Sequence, residues 1–342
     1  MVWHLGINGY GRIGRCVVKA LAERRLFDRI QPVLINDQAD AENLVHLTHY
    51  DSTHGRSENL FQRGPNGGFS LNGHSVAIQQ YLKPELIDYK STPVDIVLES
   101  SGRFANRESA DAHMKAGAPR VLIGAPGGPD MDMTVLFGIN HHLLTDAHKI
   151  ISAASCTTNC LGLGLSGLTK TVDIERGFYT TIHSITNDQV LIDSAHLDLR
   201  RGRSAGSSMI PTSTNALKAL EWVLPELSGR IQGFSMRVPT QNVSCVDLTV
   251  ELNRAVTETE ILDVMFNWAQ IQDGLFAVNE EPLVSIDFNH HPASSIFDAT
   301  QLMVNGRLAK LLFWYDNEWG YSNRIVDLLL HWQSIAGMDS SD

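Results

Sequence analysis

The sequence predicts two α/β domains, the first with a doubly wound parallel sheet and the second with a mostly antiparallel one. Up to about residue 150, strand-like apolar runs alternate with helical runs, which is typical of a parallel sheet. Farther along, β-branched and aromatic runs follow one another with few helices between them. This favours an antiparallel sheet with helices on one face, and it places the domain boundary near Cys156.

Composition limits the classes of function. The chain has 342 residues, 43% of them hydrophobic, which is enough for two packed domains. A net charge of -11 argues against nucleic acid or an anionic membrane surface as the main partner. We find no apolar run of membrane-spanning length and no signal peptide, and therefore expect a cytoplasmic protein. The four cysteines are too few for a disulfide scaffold, and no zinc-spaced partners accompany Cys156 and Cys160, so no metal is expected.

A glycine-rich turn separates the first predicted strand, residues 2–7, from a helical pattern at 16–21. It contains G-x-G-x-x-G at Gly9, Gly11 and Gly14, a pattern that allows a tight turn and close approach to a pyrophosphate. A second strand ends at Asp37, where a carboxylate can bind an adenosine ribose. Together these features predict a Rossmann-type dinucleotide site, and the alternative is a plain β–α–β unit.

The remaining elements follow in chain order. In the first domain we predict a strand at 94–99 with a turn at Ser101-Gly102, a helix at 107–116 and a strand at 120–123 ending at Gly124. Residues 51–73 are polar and glycine-rich and receive no assignment. In the second domain we predict strands at 178–183, 243–252 and 283–288, and an Asn-Gly hairpin at 303–308. A capping box at 257–260 begins a helix at 261–270, and an apolar helix covers 325–332.

The stretch from Ser155 to Cys160 lies where a buried strand, residues 149–154, gives way to a helical pattern. A helix N-terminus has free N–H groups and partial positive charge, which lower the pKa of a thiol. Ser155, Thr157 and Thr158 add hydroxyls that can bind an anion there. Cys156 is therefore the candidate nucleophile, and the alternative is a buried structural cysteine.

A thiolate combined with a dinucleotide site suggests covalent oxidation of an aldehyde with hydride transfer to a nicotinamide. The reaction needs a base that works near neutral pH, and histidine is the usual choice. We choose His183 because it ends a predicted strand and opens a long loop, residues 183–203, that lacks periodicity. That loop carries Arg200, Arg201 and Arg203, a local site for an anionic substrate. Other histidines, such as His290 and His291, fit a surface or packing role equally well.

Several long blocks occur in an order that resembles one family. They are residues 8–15, 155–160, 183–189, 198–201, 237–240 and 314–321. Through these blocks the chain resembles phosphorylating glyceraldehyde-3-phosphate dehydrogenase over essentially its whole length. The resemblance implies that Cys156 is the nucleophile and His183 the base. It implies NAD-binding residues at Asn8, Gly9, Gly11, Arg12, Ile13, Gly14, Asp37, Ser101, Gly102, Gly124, Asn317 and Tyr321. It implies binding of the substrate's phosphate and of inorganic phosphate at Ser155, Thr157, Thr186, Asp188, Thr214, Asn215 and Arg237.

The resemblance also implies an assembly and a division of the chain. The family is a homotetramer in which the 183–203 loop lies against a neighbour's cofactor, and its last helix returns to the first domain. The expected domains are then residues 1–155 plus 321–342 for NAD, and 156–320 for catalysis. The expected partners are a small phosphorylated aldehyde and inorganic phosphate.

Some positions depart from the family's usual pattern. Ala153 replaces a usual Asn, Gly124 a usual Ser and Gln241 a usual Pro. Asn215 replaces a usual Gly and brings a side chain to a bare N–H of the inorganic-phosphate site. The rival is erythrose-4-phosphate dehydrogenase, which releases its thioester with water. Residues 37–41 and 287–292 resemble that branch, whereas 185–188 and 211–214 resemble the glyceraldehyde enzyme.

Cofactor choice and activity each leave an alternative. Asp37 should repel a 2′-phosphate and favour NAD. However, Gln38 and Ser194-Ala195 replace the Leu and Leu-Pro of strictly NAD-dependent members, so we expect NAD to be preferred with measurable NADP use. A non-catalytic NAD-binding regulator is the alternative from another class, because a fold alone never proves activity.

Overall fold

The computed structural model of the protein describes residues 2–64 and 68–338, and the chain forms two compact units. One unit comprises Met1–Ala154 with Ser322–Asp342, and the other comprises Ser155–Tyr321. The predicted division into domains includes residues 339–342, which lie outside the described residues. As a statement about separate functional domains, that division stays a prediction.

The described part of the first unit contains three α-helices besides the last helix of the chain, a nine-stranded sheet, and a separate two-stranded sheet of Tyr50–Asp51 and Gly55–Arg56. The helices are α1 (Arg12–Glu23), α2 (Ala41–His49) and α3 (Arg107–Ala116). The strands are β1 (Trp3–Asn8), β2 (Ile30–Asn36), β3 (Tyr50–Asp51), β4 (Gly55–Arg56), β5 (Phe61–Arg63), β6 (Phe69–Leu71), β7 (His74–Gln79), β8 (Ile96–Glu99), β9 (Val121–Ile123), β10 (Met133–Thr134) and β11 (Ile150–Ser152). Short strands therefore occupy part of the unassigned stretch 51–73, of which 65–67 lie outside the described residues.

The strand order in this sheet is β10-β11-β9-β8-β1-β2-β7-β6-β5. Pairing is parallel from β10 to β7 and antiparallel at the β7-β6-β5 edge. The register places Asn8 at the end of β1 opposite Asn36 on β2 and Glu99 on β8. Polar residues therefore lie side by side at the carboxyl edge of the sheet, where parallel α/β sheets bind ligands.

The glycine turn after β1 depends on close backbone packing. Gly9 has φ +89°, and a Cβ at this position would lie 2.3 Å from the Cα of Ser101. A Cβ on Gly14 would lie 2.6 Å from the carbonyl oxygen of Gly9. Both glycines are therefore required for space, and Gly9 is also required for its backbone conformation.

The second unit has a mixed, mostly antiparallel sheet. Its strands are β12 (Ile174–Ser184), β13 (Ile210–Thr212), β14 (Ile231–Val238), β15 (Ser244–Leu252), β16 (Phe276–Asn279), β17 (Ser295–Asp298), β18 (Met303–Asn305) and β19 (Leu308–Tyr315). Their order is β13-β14-β12-β15-β19-β17-β16, with β18 paired to β19. The pairs β12/β14 and β16/β17 are parallel. The helices are α4 (Cys156–Thr169), α5 (Ala216–Val223) and α6 (Glu258–Ile271).

The predicted strand at 283–288 is wrong. Ser285–Phe288 is a short 3₁₀ helix in which Asp287 Oδ2 accepts the N–H of Val284 at 2.8 Å. Ile286 is 71% exposed, whereas Phe288 is buried. The alternation of apolar residues is real, but a carboxylate three residues along offers a local acceptor that competes with strand pairing.

Two local predictions in this unit are confirmed. Thr257 and Glu260 form the capping box of α6, and each side chain accepts the other residue's backbone N–H. Strands β18 and β19 form the predicted hairpin, with Asn305 opposite Leu308. The loop residues are Gly306 and Arg307, and Gly306 supplies the positive φ of +61° that the turn needs.

The last helix, α7 (Trp319–Met338), continues into the first unit from Ser322 onward. Asp327 accepts from Arg24 at 2.6 Å, Gln333 donates to the carbonyl of Arg29 at 2.7 Å, and Trp332 is fully buried. The predicted return of this helix is confirmed. Among residues 2–64 and 68–338, no helix combines the length and apolar character needed to cross a membrane.

Candidate active site

Cys156 is the first residue of α4, as its sequence context predicts. The N-cap is Ser155, whose Oγ accepts the N–H of Thr158 at 3.0 Å. The side chain of Cys156 is half-buried, whereas Cys16, Cys160 and Cys245 are at most 5% exposed. The one partly accessible thiol therefore lies at a helix N-terminus, where N–H groups and the helix dipole favour an anion.

A histidine lies next to this thiol. His183 Nε2 is 3.5 Å from Cys156 Sγ, and the imidazole is 4% exposed near the end of β12. When the ring proton is on Nδ1, it donates to the carbonyl of Ser184 at 2.7 Å. Nε2 then faces the sulfur with a lone pair, which is the arrangement of a base waiting to accept the thiol proton.

Burial acts against charge on both partners. It raises the pKa of the Cys156 thiol above its ordinary value, although the Arg237 charge and the Thr157 N–H lower it. Burial and Arg237 lower the pKa of His183 to about 3. The expected net lowering of the Cys156 pKa is therefore wrong for the protein alone, because loss of water outweighs the helix terminus. The resting pair is a neutral thiol and a neutral imidazole.

Arg237 stands beside this pair because β14 runs parallel to β12, with Arg237 opposite His183. Its Nη1 donates to the carbonyl oxygen of Ser184 at 3.2 Å. The same Nη1 lies 2.8 Å from His183 Nδ1, which accepts from it only when the ring proton is on Nε2. The Arg237 Nε is buried without a hydrogen-bond partner. Burial lowers the pKa of Arg237, and the charge of Arg201 acts in the same direction. A buried guanidinium with an unused donor is a place where an anion is stabilised.

Arg201 is a residue whose role the sequence analysis missed, since it treated the arginines of this loop alike. It pairs with Asp188, lies 3.1 Å from Asp198 and donates to the carbonyl of Ser213 at 3.1 Å. Arg203 pairs with Asp193, and Arg200 is exposed. An i, i+3 carboxylate at Asp198 is a signal in the sequence that distinguishes Arg201 from its neighbours.

The threonines predicted to bind phosphate differ in exposure: Thr157 and Thr158 are buried, whereas Thr186 is exposed. Thr158 is fully buried and bonds Ser155 Oγ, so the prediction that it binds an anion is wrong. Thr157 is 4% exposed, and its hydroxyl is 2.9 Å from Tyr315 OH. Thr186 is exposed, and its N–H and hydroxyl both donate to Gln189 Oε1.

Thr214 and Asn215 lie at the start of α5. Asn215 is its exposed N-cap residue and makes no capping bond with its side chain, while the N–H of Ala216 donates to Thr214 Oγ1 at 3.2 Å. The Asn215 side chain therefore does not occupy the N–H groups of this helix start, and one of them, that of Ala216, is satisfied by Thr214.

Hydrogen bonds hold the side-chain amide of Asn317 in one orientation. Its Oδ1 accepts from the hydroxyls of Ser184 and Ser244, each at 2.9 Å, and Ser244 Oγ accepts the Ser184 N–H at 3.0 Å. The Asn317 Nδ2 is thereby the end of the amide left to donate. The sequence analysis missed both serines, which are ordinary strand residues until the fold brings them together. Tyr321 is buried, and burial raises its pKa.

A cleft of about 200 Å³ lies at the carboxyl edge of the first unit's sheet. The predicted residues that line it are Asn8, Gly9, Gly11, Asp37 and Ser101, and Tyr81, Arg103 and Phe104 line it without having been predicted. Asp37 accepts the N–H of Tyr10 at 2.7 Å and of Ala39 at 2.9 Å. Open space lies beyond Gly11. A ribose-binding carboxylate and a bare helix start fit a dinucleotide.

The other predicted cofactor residues of the first unit lie outside the lining of the cleft, in the segments that follow β1, β8 and β9. Arg12, Ile13 and Gly14 form the first turn of α1, and Arg12 pairs with Asp51 at 3.0 Å. Gly102 follows Ser101 with φ +72°. Gly124 follows β9, where a Cβ would lie 3.3 Å from the carbonyl oxygen of Glu99.

A dinucleotide cleft in one unit and a cysteine paired with an imidazole in the other are the equipment of a dehydrogenase that acts through a cysteine adduct. A family model described as glyceraldehyde 3-phosphate dehydrogenase, NAD binding domain, matches residues 3–107. The corresponding C-terminal domain model matches residues 155–317. The chain belongs to the glyceraldehyde-3-phosphate dehydrogenase family. The predicted family, the fold class and NAD as cofactor are confirmed.

Named relatives match almost end to end. A glyceraldehyde-3-phosphate dehydrogenase of Pseudomonas aeruginosa is 47% identical over 330 residues, which are 96% of this chain and 98% of that protein. The plasmid-encoded enzyme of Cupriavidus necator is 46% identical over 96% of this chain and 97% of its own length. The enzyme of Geobacillus stearothermophilus is 45% identical over 96% and 97%.

The thiol environment leads to a labelling prediction. We expect iodoacetamide to alkylate Cys156 at least roughly tenfold faster than Cys16, Cys160 or Cys245, because the side chains of the other three are at most 5% exposed. The rate should rise with pH as the thiolate fraction grows. His183→Gln should slow Cys156 labelling roughly tenfold near pH 8, because the acceptor of the thiol proton is removed. Peptide mass spectrometry of timed samples measures each site.

The exposed His142, which lies in the first unit, supplies the control. His142→Gln should label like the wild type. Equal Cys156 labelling in the wild type and in His183→Gln would show that the imidazole does not activate the thiol.

Proposed function

We propose that the protein oxidises glyceraldehyde 3-phosphate with NAD and inorganic phosphate to give 1,3-bisphosphoglycerate. The observation that carries the proposal is the 3.5 Å contact of Cys156 Sγ with His183 Nε2, with Arg237 opposite on the neighbouring strand. The three relatives above bear the name of this activity. Cys156 and His183 are the proposed catalytic residues.

The chain's own groups account for each proton. Cys156 Sγ attacks the aldehyde carbon while Nε2 of His183 takes the thiol proton and returns it to the carbonyl oxygen, which gives a thiohemiacetal. Nε2 then takes the hydroxyl proton as the C–H bond breaks and the hydride departs, which leaves a thioester. Bound NAD supplies the hydride acceptor. A phosphate oxygen attacks the thioester carbon, and the leaving thiolate recovers the proton held by Nε2. The phosphate's own proton passes to solvent, and the acyl phosphate is released.

Charge supports the assignment of the phosphate sites. We assign the substrate's phosphate to Arg237 and Thr186, near Asp188, and inorganic phosphate to Ser155, Thr157, Thr214 and Arg237. Arg201 joins them because it pairs with Asp188 and donates to the carbonyl of Ser213, the residue before Thr214. An incoming anion offsets the guanidinium charge of Arg237. Asn215 is exposed and its side chain makes no capping hydrogen bond to α5, so phosphorolysis remains compatible with this departure from the family pattern.

The first test compares acceptors for the acyl group. With glyceraldehyde 3-phosphate and NAD, we expect NADH formation at least roughly tenfold faster with inorganic phosphate than without it, because water is a poor substitute at a site built for an anion. Stopped-flow absorbance measures the rates. Erythrose 4-phosphate under both conditions is the comparison, and Cys156→Ser is the inactive control. Equal rates with and without phosphate, together with preference for the tetrose, would favour the hydrolytic relative instead.

The proposed cofactor residues are the predicted set, with Asn317 and Tyr321 supplied by the second unit. We further propose that NAD is preferred but NADP is used. Both oxygens of Asp37 accept backbone N–H groups, so the carboxylate cannot turn away from a 2′-phosphate. The neighbouring Gln38 is polar and donates to the carbonyl of Tyr81 at 2.9 Å.

For cofactor choice we expect kcat/KM to be roughly a hundredfold higher for NAD than for NADP, from like-charge repulsion at Asp37. Asp37→Ser should reduce this ratio at least roughly tenfold. Asp40→Ser, which alters the α2 cap, is the control and should leave the ratio unchanged. Steady-state kinetics with both cofactors measures the ratios. Complete absence of NADP turnover, or an unchanged ratio in Asp37→Ser, would contradict the proposal.

We propose that the chain is a cytoplasmic homotetramer whose two domains are residues 1–155 plus 321–342 and 156–320. The support for assembly is an apolar surface on the second unit. Leu191 and Ile192 in the 183–203 loop are 76% and 78% exposed, and Phe178 on β12 is 68% exposed. Exposed apolar groups of this size are typical of a surface that another protein covers, and a second copy of this chain is the proposed occupant.

Sedimentation equilibrium tests the assembly. We expect a species of about four times 37.8 kDa, and Ile192→Asp should shift it to smaller species because a carboxylate cannot be buried there without a partner. Leu86→Asp, at an exposed leucine of the first unit, should sediment like the wild type. A wild-type monomer would exclude the tetramer.

A further inference from the structure

A buried carboxylate lies under the dinucleotide cleft. Glu99, the last residue of β8, is 2% exposed. Its Oε1 accepts the N–H of Ser101 at 2.8 Å and the Ser101 hydroxyl at 2.5 Å. Its Oε2 accepts Asn8 Nδ2 at 2.5 Å and lies 3.1 Å from His113 Nε2. None of the roles assigned above uses this group.

The bonds on the Asn8 side have a fixed direction. The backbone N–H of Tyr81 can only donate, and it donates to Asn36 Oδ1 at 2.8 Å. Asn36 must therefore turn its Nδ2 toward Asn8, whose Oδ1 accepts it at 2.8 Å. Asn8 in turn presents its own Nδ2 to Glu99. The Tyr81 N–H thus fixes which end of each side chain donates, from Asn36 at the end of β2 through Asn8 at the end of β1 to Glu99 at the end of β8.

The hydrogen bonds on the Ser101 side also require Glu99 to be an acceptor. The backbone N–H of Ser101 also can only donate, so Glu99 must accept from both directions. A carboxyl group accepts on both oxygens, whereas an amide of the same shape accepts on one and donates from the other. The Tyr89 hydroxyl lies 2.7 Å from Nδ1 of the fully buried His113, and with the ring proton on Nε2 the imidazole donates to Glu99 as well.

The segment that Glu99 holds is the one that packs on the glycine turn. A Cβ on Gly9 would lie 2.4 Å from the Ser101 nitrogen and 2.3 Å from its Cα. Any shift of Ser101 therefore moves Gly9 directly. Asn8, Gly9, Asn36, Tyr81 and Ser101 all line the cleft, so one carboxylate sets the position of several of its walls.

We propose that Glu99 is a positioning residue for NAD, and that it holds the cleft in its binding shape because it accepts hydrogen bonds from Asn8 on one side and Ser101 on the other. The proposal rests on NAD binding in this cleft. It assigns Glu99 no part in the chemistry at Cys156.

Glu99→Gln tests the proposal with almost no change of volume. The backbone N–H of Ser101 should keep the amide oxygen, so the new NH₂ faces the Asn8 NH₂ and forces two donors together. We expect the Kd for NAD to rise at least roughly tenfold, as for loss of orienting hydrogen bonds in a buried network. The kcat at saturating NAD should stay within about threefold, so KM for NAD and kcat should separate. Isothermal titration and steady-state kinetics measure these quantities.

Asp298→Asn is the matched control. This carboxylate is also 2% exposed at the end of a strand and accepts a backbone N–H, from Thr300, but it lies in the second unit and does not line the cleft. We expect its Kd for NAD to equal that of the wild type. An equal rise in both variants would mean a general loss of stability and would overturn the specific role of Glu99.

Asn8→Asp in the Glu99→Gln background supplies the rescue. The new carboxylate can accept from the substituted amide on one oxygen and from Asn36 on the other, while His113 accepts the second amide proton and donates from Nδ1 to Tyr89. We expect the double variant to bind NAD more tightly than either single variant, because Glu99→Gln alone opposes two amide donors and Asn8→Asp alone opposes two carboxylates.

The outcomes separate this proposal from the proposed function. Failure of the wild type to bind NAD would refute the function itself. Normal binding by Glu99→Gln, or no recovery in the double variant, would refute the positioning role while leaving the function intact. If Glu99→Gln alone does not fold, the double variant still tests the positioning role. Only a restored pairing of donors with acceptors can recover both folding and NAD affinity.

Discussion

The contact between the Cys156 sulfur and the His183 imidazole is the interaction on which the second unit depends. Neither partner is useful alone, since a buried thiol without a base stays protonated and a buried histidine without a partner is only a packing group. The helix start supplies the thiol and the strand end supplies the ring. The parallel neighbour β14 adds Arg237 beside both. The polar contacts around Cys156, His183 and Arg237 orient one of these side chains or a group that faces one of them.

Burying Cys156 and His183 beside Arg237 has an electrostatic cost, and this cost explains which residues surround the pair. Burial and Arg237 disfavour a proton on His183, and burial disfavours the thiolate. The protein alone therefore holds the pair neutral, with the proton on sulfur. A bound anion compensates the guanidinium charge and makes the imidazolium less costly. The proposed phosphate sites thus serve both recognition and the proton transfer, which is a reason for arginine to stand so close to the base.

The first unit solves a different problem, the alignment of strand ends. Asn8, Asn36 and Glu99 come from three strands that are distant in sequence and adjacent in register. Their side chains form a directed series of hydrogen bonds whose polarity is set by backbone groups at its ends. A cleft wall built in this way resists deformation, because moving one member leaves buried donors facing donors.

Much of this could be predicted from the sequence because its signals are local. The glycine turn, the end of β2 at Asp37, the helix start at Cys156, the capping box at Thr257 and the hairpin at Gly306 each depend on residues within a few positions of one another. The blocks shared with the family identified it and pointed to His183 among fourteen histidines. Residues 283–288 show the limit, because apolar alternation alone does not reveal that Asp287 offers the backbone a nearer partner.

The sequence by itself determined the two-part fold class, the family, the cofactor and the candidate nucleophile, since these follow from short motifs and from matching blocks. The tertiary structure alone decided which charges and hydrogen bonds meet. The neutral state of the thiol, the pairing of Arg201 with Asp188, the serines that hold Asn317 and the double acceptor role of Glu99 all depend on the packed surroundings of each group. Desolvation and the direction of a hydrogen bond exist only after those residues are packed together, and no local pattern encodes them.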